Sequence, residues 1–303
     1  MKTVLVTGAS GLIGKQLCAK LMEKGYTVRA LTRNISERTP YRQYLWHLPQ
    51  GFIDEKVFRD LDYIVHLAGA NISDGRWTDQ RREDILTSRE DSAALLHGAM
   101  KITKSTVKAF ISSSAVGYYG AQTSDQIYRE EDSPLDDFIG TVCQKWEAAA
   151  DKFQQEGIRT VKLRTGVVLS ERGGALPKLT TPVKFGVGSG LGSGKQYMPW
   201  IHIDDIVNMY IKAIEDENMQ GAYNAVAPEH ITNRNLVKQI GKVLRRLVIL
   251  PNAPSFVLKW IFGEMSVIVL EGSRISSDKI VQTGFQYQFP SIQNALKNLL
   301  LKR

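Results

Sequence analysis

The chain holds only two cysteines, Cys18 and Cys143, in 303 residues. Two thiols so far apart in sequence cannot frame a disulfide scaffold or a zinc cluster. Long apolar runs are also missing. The most apolar late stretch, residues 256–270, is interrupted by Lys259 and Glu264 and is too short to span a bilayer. Lys2 leads directly into a short strand-like pattern, not into the h-region of a secretory signal. No internal repeat or low-complexity tract occurs. These absences lead to the expectation of a reduced, cytoplasmic protein with no metal site and no membrane partner.

What is present sits near the globular average, with 43% apolar and 23% charged residues, enough to bury a large core. Charge is distributed unevenly. Thirty-nine basic against thirty-one acidic side chains leave +8, and the excess lies wholly in the second half: residues 1–150 carry 19 of each sign, whereas residues 151–303 carry 20 basic and 12 acidic ones. A basic half points to an anionic partner. No basic stripe with interleaved aromatics accompanies it, so the expected partner is an acidic or phosphorylated small molecule and not a nucleic acid. The oligomeric state is left open.

Apolar runs alternate with helical patterns through the first half, which predicts βαβ units and a parallel sheet. Strands are expected at residues 3–7, 26–32, 63–67, 107–112 and 159–164, and helices at 12–23, 78–100 and 138–155. After Arg164 a Gly/Pro/Ser-rich loop region covers residues 173–194. A helix over 203–214, a strand over 221–225 and a helix capped by Thr232 follow. The predicted fold is α/β: a Rossmann-type, doubly wound parallel sheet with a smaller, interwoven C-terminal α+β domain. The expected boundaries are 1–165 for the nucleotide-binding domain, with 200–225 returning to it. Residues 166–199 and 226–303 would form the closing domain.

Gly8-Ala9-Ser10-Gly11-Leu12-Ile13-Gly14 follows a predicted strand and opens a predicted helix, the context a dinucleotide-binding turn requires. Gly8 permits the tight turn, Gly11 lets the backbone approach a pyrophosphate, and Gly14 lets the helix pack close to the sheet. At the end of the second strand stand Leu31, Thr32 and Arg33, with no acid before Glu37. An acid there would hold a ribose 2′-hydroxyl, whereas arginine accommodates a 2′-phosphate. The expected cofactor is NADP(H).

These residues resemble the short-chain dehydrogenase/reductase superfamily in its extended, epimerase-like branch. Its fourth-strand motif is similar to Asp62-Tyr-Ile-Val-His66-Leu67-Ala68-Gly69, and its serine-bearing strand to Ser112-Ser113-Ser114-Ala-Val-Gly117-Tyr118-Tyr119-Gly120. Ser88-Arg89, Cys143-Gln-Lys-Trp146-Glu147, Arg164-Thr-Gly166 and the tail from Gly263 to Pro290 narrow the resemblance to an uncharacterised epimerase-like family with a small extra C-terminal domain. The resemblance implies cofactor contacts at Thr7, Gly8, Ser10, Gly11, Leu12, Ile13 and Gly14, then at Thr32, Arg33, Leu67, Ala68 and Gly69. Further contacts are implied at Arg89, Ser112, Arg164 and Gly166.

One departure stands out. The superfamily places Tyr and Lys four residues apart on the helix after the serine strand, the Tyr acting as general acid/base. Here no Tyr lies between Tyr128 and Tyr197. Val142 and Trp146, or in another register Ile139 and Cys143, occupy the two positions. The catalytic candidates are therefore Ser114 and Ser113 as polarising hydroxyls, Tyr118 (with Tyr119 beside it) or Cys143 as a proton donor, and Arg89 where an asparagine is usual. Arg89 would approach Ser114, the cofactor or an acidic substrate; the alternative is a surface ion pair with Asp84 or Glu90. Lys195 and Gln196 are expected to face the pocket. The expected function is an NADP(H)-binding, epimerase-like oxidoreductase acting on a small anionic molecule, nucleotide-sugar-like compounds included. The alternative is a non-catalytic NADP(H) sensor or scaffold.

Overall fold

Strand β1 (Thr3–Thr7) is buried along its whole length, as a strand covered on both faces must be. The computed structural model describes residues 1–301. After β1 come α1 (Leu12–Glu23), β2 (Thr27–Thr32), β3 (Arg42–His47), β4 (Phe52–Ile53), β5 (Tyr63–His66), α2 (Asp79–Thr103), β6 (Ala109–Ala115), β7 (Ile127–Tyr128), α3 (Phe138–Gln155) and β8 (Arg159–Thr165). The later part holds β9 (Val167–Ser170), β10 (Gly173–Gly174), α4 (Ala175–Lys184), β11 (Trp200–His202), α5 (Ile203–Glu215), β12 (Gly221–Ala225) and α6 (Asn233–Leu244). It closes with α7 (Ser255–Phe262), α8 (Val267–Leu270), β13 (Arg274–Ile275), α9 (Asp278–Gln282) and α10 (Ile292–Leu301).

Eight strands form one sheet in the order β12-β8-β6-β5-β1-β2-β3-β4. All pair in parallel except β4, which runs antiparallel to β3. The order reverses at β1, and such a reversal opens a crevice at the carboxyl ends of the strands. This is the expected doubly wound fold. Strand β3 was not anticipated: its sequence RQYLWH alternates, turning only Tyr44 and Trp46 fully inward, and gives no continuous apolar run.

Two smaller sheets stand beside the large one, and the second of them ties the second half to the first. β9 pairs with β10 and β11, and β13 pairs with β7. β12 joins the large sheet, whereas β11 stays in the small one. Leu236 and Ile240 of α6 and Leu296 and Leu299 of α10 belong to the same apolar cluster as Val4, Val6 and Leu163 of the sheet. The C-terminal helices thus share a core with the sheet. On the other sheet face, Phe110 and Phe153 stack with centroids 3.8 Å apart, beside Leu96.

At the switch point β1 and β5 are bolted together by side chains. Thr7 Oγ1 accepts the backbone N–H groups of Leu67 and Ala68, each at 3.1 Å, and lies 2.9 Å from His66 Nδ1. With its lone pairs taken, Thr7 donates its proton to Nδ1. Nε2–H of the neutral ring then faces Ser92 Oγ at 3.1 Å, and Ser92 donates to the Arg89 carbonyl. Burial, with the Arg89 charge adding, pulls the His66 pKa from 6.5 to about 3. The unfolded chain therefore binds a proton that the folded one refuses between these values, so stability falls as pH drops through that window. Urea unfolding of the parent between pH 6.5 and 4 should show a slope steeper, by up to about 1.4 kcal/mol per pH unit, than that of His66→Asn; identical slopes would refute the neutral, buried imidazole.

Candidate cofactor and active site

The β1–α1 turn is built for close approach. Gly8 has φ +67, and a Cβ there would lie 2.9 Å from the Leu67 carbonyl carbon. At Gly14 a Cβ would collide with the Gly8 carbonyl oxygen and Ala9. Gly11, the helix N-cap, carries no side-chain cap, and its own N–H turns back to Gly8 O at 2.9 Å. The first-turn amides of α1, beginning at Leu12 and Ile13, can therefore meet an anion, and Ser10 beside them is exposed. Leu12 also meets the β9–β10 turn, since a Cβ on Gly173 would lie 3.6 Å from it. These features fit a dinucleotide pyrophosphate.

Thr32 and Arg33 end β2 at the rim of the crevice. Thr32 Oγ1 donates to the Asn34 carbonyl at 2.8 Å, bending the chain so that Arg33 is exposed. Leu67, Ala68 and Gly69 form the turn after β5. Arg89 of α2 packs directly on Gly69, where a Cβ would meet its guanidinium carbon at 3.2 Å.

Arg89 is only 8% exposed. Its Nη1 donates to the Ile85 carbonyl at 2.7 Å, its guanidinium lies 4.6 Å from the Trp146 ring centroid, and its buried Nε has no hydrogen-bond partner. The alternative surface ion pair does not form: Glu90 faces Lys145 at 3.7 Å, and Asp84 accepts from Gln80. Burial lowers the Arg89 pKa to about 10, and the Arg81 charge adds to the effect. A buried guanidinium without a carboxylate seeks an anion.

Behind it lies a closed polar network. Ser114 at the end of β6, 2% exposed, donates to Glu147 Oε1 at 2.7 Å. Arg164 of β8 grips both oxygens of Glu147, Nε to Oε1 at 2.8 Å and Nη2 to Oε2 at 3.0 Å. Its Nη1 donates to Tyr119 Oη at 2.9 Å and to the Glu130 carbonyl at 3.0 Å, and its face covers the Tyr118 ring at 3.5 Å. Burial opposes the charge on Arg164, but the Glu147 hydrogen bonds and charge outweigh it and hold its pKa above the ordinary value. Arg164, expected to contact the cofactor, spends its guanidinium on these internal bonds.

Other candidates separate cleanly. Ser113 points to the opposite face of the sheet and meets Tyr210 Oη at 2.5 Å, as the period-two alternation of a strand requires; it does not converge with Ser114. Ser112 donates to the Ser113 carbonyl at 2.9 Å. The Tyr119 hydroxyl donates to Asn224 at 2.7 Å, and burial pushes its pKa up to about 12. Tyr118 is half-buried, with its ring under the Arg164 guanidinium. The Cys143 thiol is buried, and desolvation, with the Glu147 charge adding, drives its pKa to about 12. Such a thiol packs and is no thiolate nucleophile. Gly166 lacks a side chain because the Pro199 carbonyl would come within 2.5 Å of a Cβ. Gln196 does not face a pocket: it is buried and donates to the Leu191 and Val269 carbonyls, latching the loop, whereas Lys195 is exposed.

Glu147 was missed by sequence reasoning. Its signal was available: it is an acid on the buried face of α3, between Val142, Cys143, Trp146 and Ala150. Asn224 and Glu130 gave no comparable signal.

Residues 4–226 match the model of the NAD dependent epimerase/dehydratase family. The chain belongs to that family. Residues 253–299 match a second model, a domain of unknown function (DUF1731). The epimerase family protein YfhF of Bacillus subtilis is 32% identical over 99% of this chain and 98% of its own length. The mouse epimerase family protein SDR39U1 is 34% identical over 98% and 99%. The crystal structure of human SDR39U1 with NADPH superposes with a TM-score of 0.87 at 32% identity, covering 99% of this chain and all of that one.

Breaking one side of a buried ion pair strands the other charge, whereas replacing both sides by apolar groups does not. Arg164→Met should therefore lower the unfolding free energy by about 3–5 kcal/mol, and the double variant Arg164→Met/Glu147→Met should recover much of that loss in urea titrations. A single-variant loss below about 1 kcal/mol would contradict the network's assigned weight.

Proposed function

We propose that this family member binds NADP(H) across the β1–β5 crevice and acts as an epimerase-like oxidoreductase on a small anionic carbonyl or hydroxyl compound. The observation that carries the reading is the pairing of a glycine turn that admits a pyrophosphate with an exposed Arg33 at the end of β2. The NADPH in human SDR39U1 supports the same choice of cofactor. NADP(H) supplies a hydride donor or acceptor when bound. Residues of this chain do the rest. First-turn amides of α1 hold the pyrophosphate, and Arg33 takes the 2′-phosphate in forked geometry. Arg89, with an unpartnered Nε, draws an anionic group to the Gly69 side of the cleft. Ser114, whose proton already lies toward Glu147, offers its oxygen lone pair to a substrate hydroxyl. A substrate proton can pass to Ser114 Oγ as the serine proton moves to Glu147 Oε1. This relay would serve where α3 carries no Tyr–Lys pair.

One observation favours the second reading, an NADP(H)-responsive protein without turnover: Ser114 is almost fully enclosed and both Ser113 and Ser114 already hold internal partners. The two readings diverge on Ser114. An enzyme loses turnover in Ser114→Ala with NADPH affinity intact; a sensor shows no NADPH consumption across a broad carbonyl panel in either form.

The cofactor choice is tested by titration. Losing a charge-assisted phosphate contact weakens binding by about tenfold to a hundredfold, so Arg33→Ala should weaken NADPH by that factor and leave NADH nearly unchanged. Equal losses for both nucleotides would overturn the 2′-phosphate role.

A further inference from the structure

The charge excess of the second half concentrates in one stretch. Between Glu229 and Glu264 the chain carries Arg234, Lys238, Lys242, Arg245, Arg246 and Lys259, and no Asp or Glu. The same stretch turns apolar side chains to solvent. Leu247, Ile249, Phe256 and Trp260 are 72–79% exposed, and Leu250 and Ile261 are also exposed.

This surface is held in place. Leu258 is the buried side chain of α7, and Arg76 caps the helix end by donating to the Trp260 and Ile261 carbonyls. Arg82 pairs with Glu264 just beyond at 2.6 Å. The Arg245–Leu250 segment follows α6 without a break and is anchored by the Arg246 amide on Gly241 O and by Val248 against Gly241. Asn252, between this segment and α7, packs by the Gly194 turn next to Arg234. Buried contacts thus fix the underside, while Phe256 and Trp260, one helical turn apart, face outward with Lys259 between them.

We propose that this segment docks peripherally on an anionic lipid bilayer, with Leu247, Ile249, Phe256 and Trp260 entering the headgroup boundary and the cations of the same stretch meeting acidic headgroups. Three physical points select that occupant. A second copy meeting the patch through a two-fold axis would set an all-cationic surface against itself. A nucleic acid would satisfy the cations and stack on Phe256 and Trp260, but would leave the aliphatic Leu247, Ile249, Leu250 and Ile261 in water. A bilayer interface accepts aromatic, aliphatic and basic side chains together. No helix among the described residues is long and apolar enough to cross a membrane, and interfacial docking needs none. The proposal revises the expectation of no membrane partner, and it stands independently of the reading of the cleft.

The test is flotation of the full-length protein with vesicles of phosphatidylcholine alone and of phosphatidylcholine mixed with phosphatidylglycerol. Binding is expected on the mixed vesicles only, weakening as salt is raised. Arg245→Gln/Arg246→Gln should weaken it about 30-fold, from about 1 kcal/mol per basic residue near an anionic surface. Phe256→Ser/Trp260→Ser should also abolish flotation, with thermal unfolding and NADPH affinity unchanged because all four side chains are exposed. Failure to float with mixed vesicles would overturn the proposal. So would binding insensitive to both double variants, or a patch-dependent dimer or oligonucleotide complex in place of lipid binding.

Discussion

The Arg164–Glu147 pair is the interaction on which the cleft's floor depends. Two full charges have been withdrawn from water, and the protein offsets that cost by saturating them. Glu147 receives Arg164 through two bonds and Ser114 through a third, while Arg164 also binds Tyr119 and the Glu130 carbonyl. The Glu130 carboxylate in turn accepts the Asn224 amide at 2.7 Å, and Asn224 accepts from Tyr119. The carboxyl ends of β6, β8 and β12 are thereby cross-linked to the middle of α3. A buried ion pair adds little net stability compared with an apolar substitute, but it fixes geometry because each partner tolerates only one arrangement. Ser114 inherits its position and proton direction from that arrangement.

A second constraint stands at the switch point, where Thr7, His66 and Ser92 connect β1, β5 and α2 and end at the Arg89 carbonyl. The turn after β5 and the helix bearing Arg89 are thus set by one chain of hydrogen bonds. Arg89 is left facing Gly69 with an unpartnered Nε. Arg89 and Ser114 are each held by buried contacts, while Arg33 remains on the surface.

The fold was largely legible because its signals are local. The Thr3–Thr7 run, the three glycines of the turn, Gly25 at the end of α1 and Thr232 at the start of α6 each act within a few residues. Strand β3 was invisible because Tyr44 and Trp46 alternate with polar residues and the strand leans on a partner far away in sequence. The candidate site was legible as a set of positions but not as partnerships. Ser113 and Ser114 are indistinguishable in sequence, and strand alternation sends one to Tyr210 and the other to Glu147. Arg164 reads as a cofactor contact in sequence, and its bonds to Glu147 appear only once β8 lies beside α3. Burial decided these cases, and burial is a property of the assembled sheet.

The charge distribution also divides by role. The half that carries the glycine turn is neutral and would hold phosphates by backbone amides, helix dipole and one arginine. The excess of the other half gathers between Glu229 and Glu264, on α6, α7 and their connection. A crystal structure of the chain with NADPH would show how the crevice at the β1–β5 switch point holds the cofactor. The pyrophosphate is expected over the amides of Leu12 and Ile13, the 2′-phosphate on Arg33, and the nicotinamide beside Ser114 and Arg89. A 2′-phosphate directed away from Arg33, or a nicotinamide outside reach of both Ser114 and Arg89, would contradict this placement.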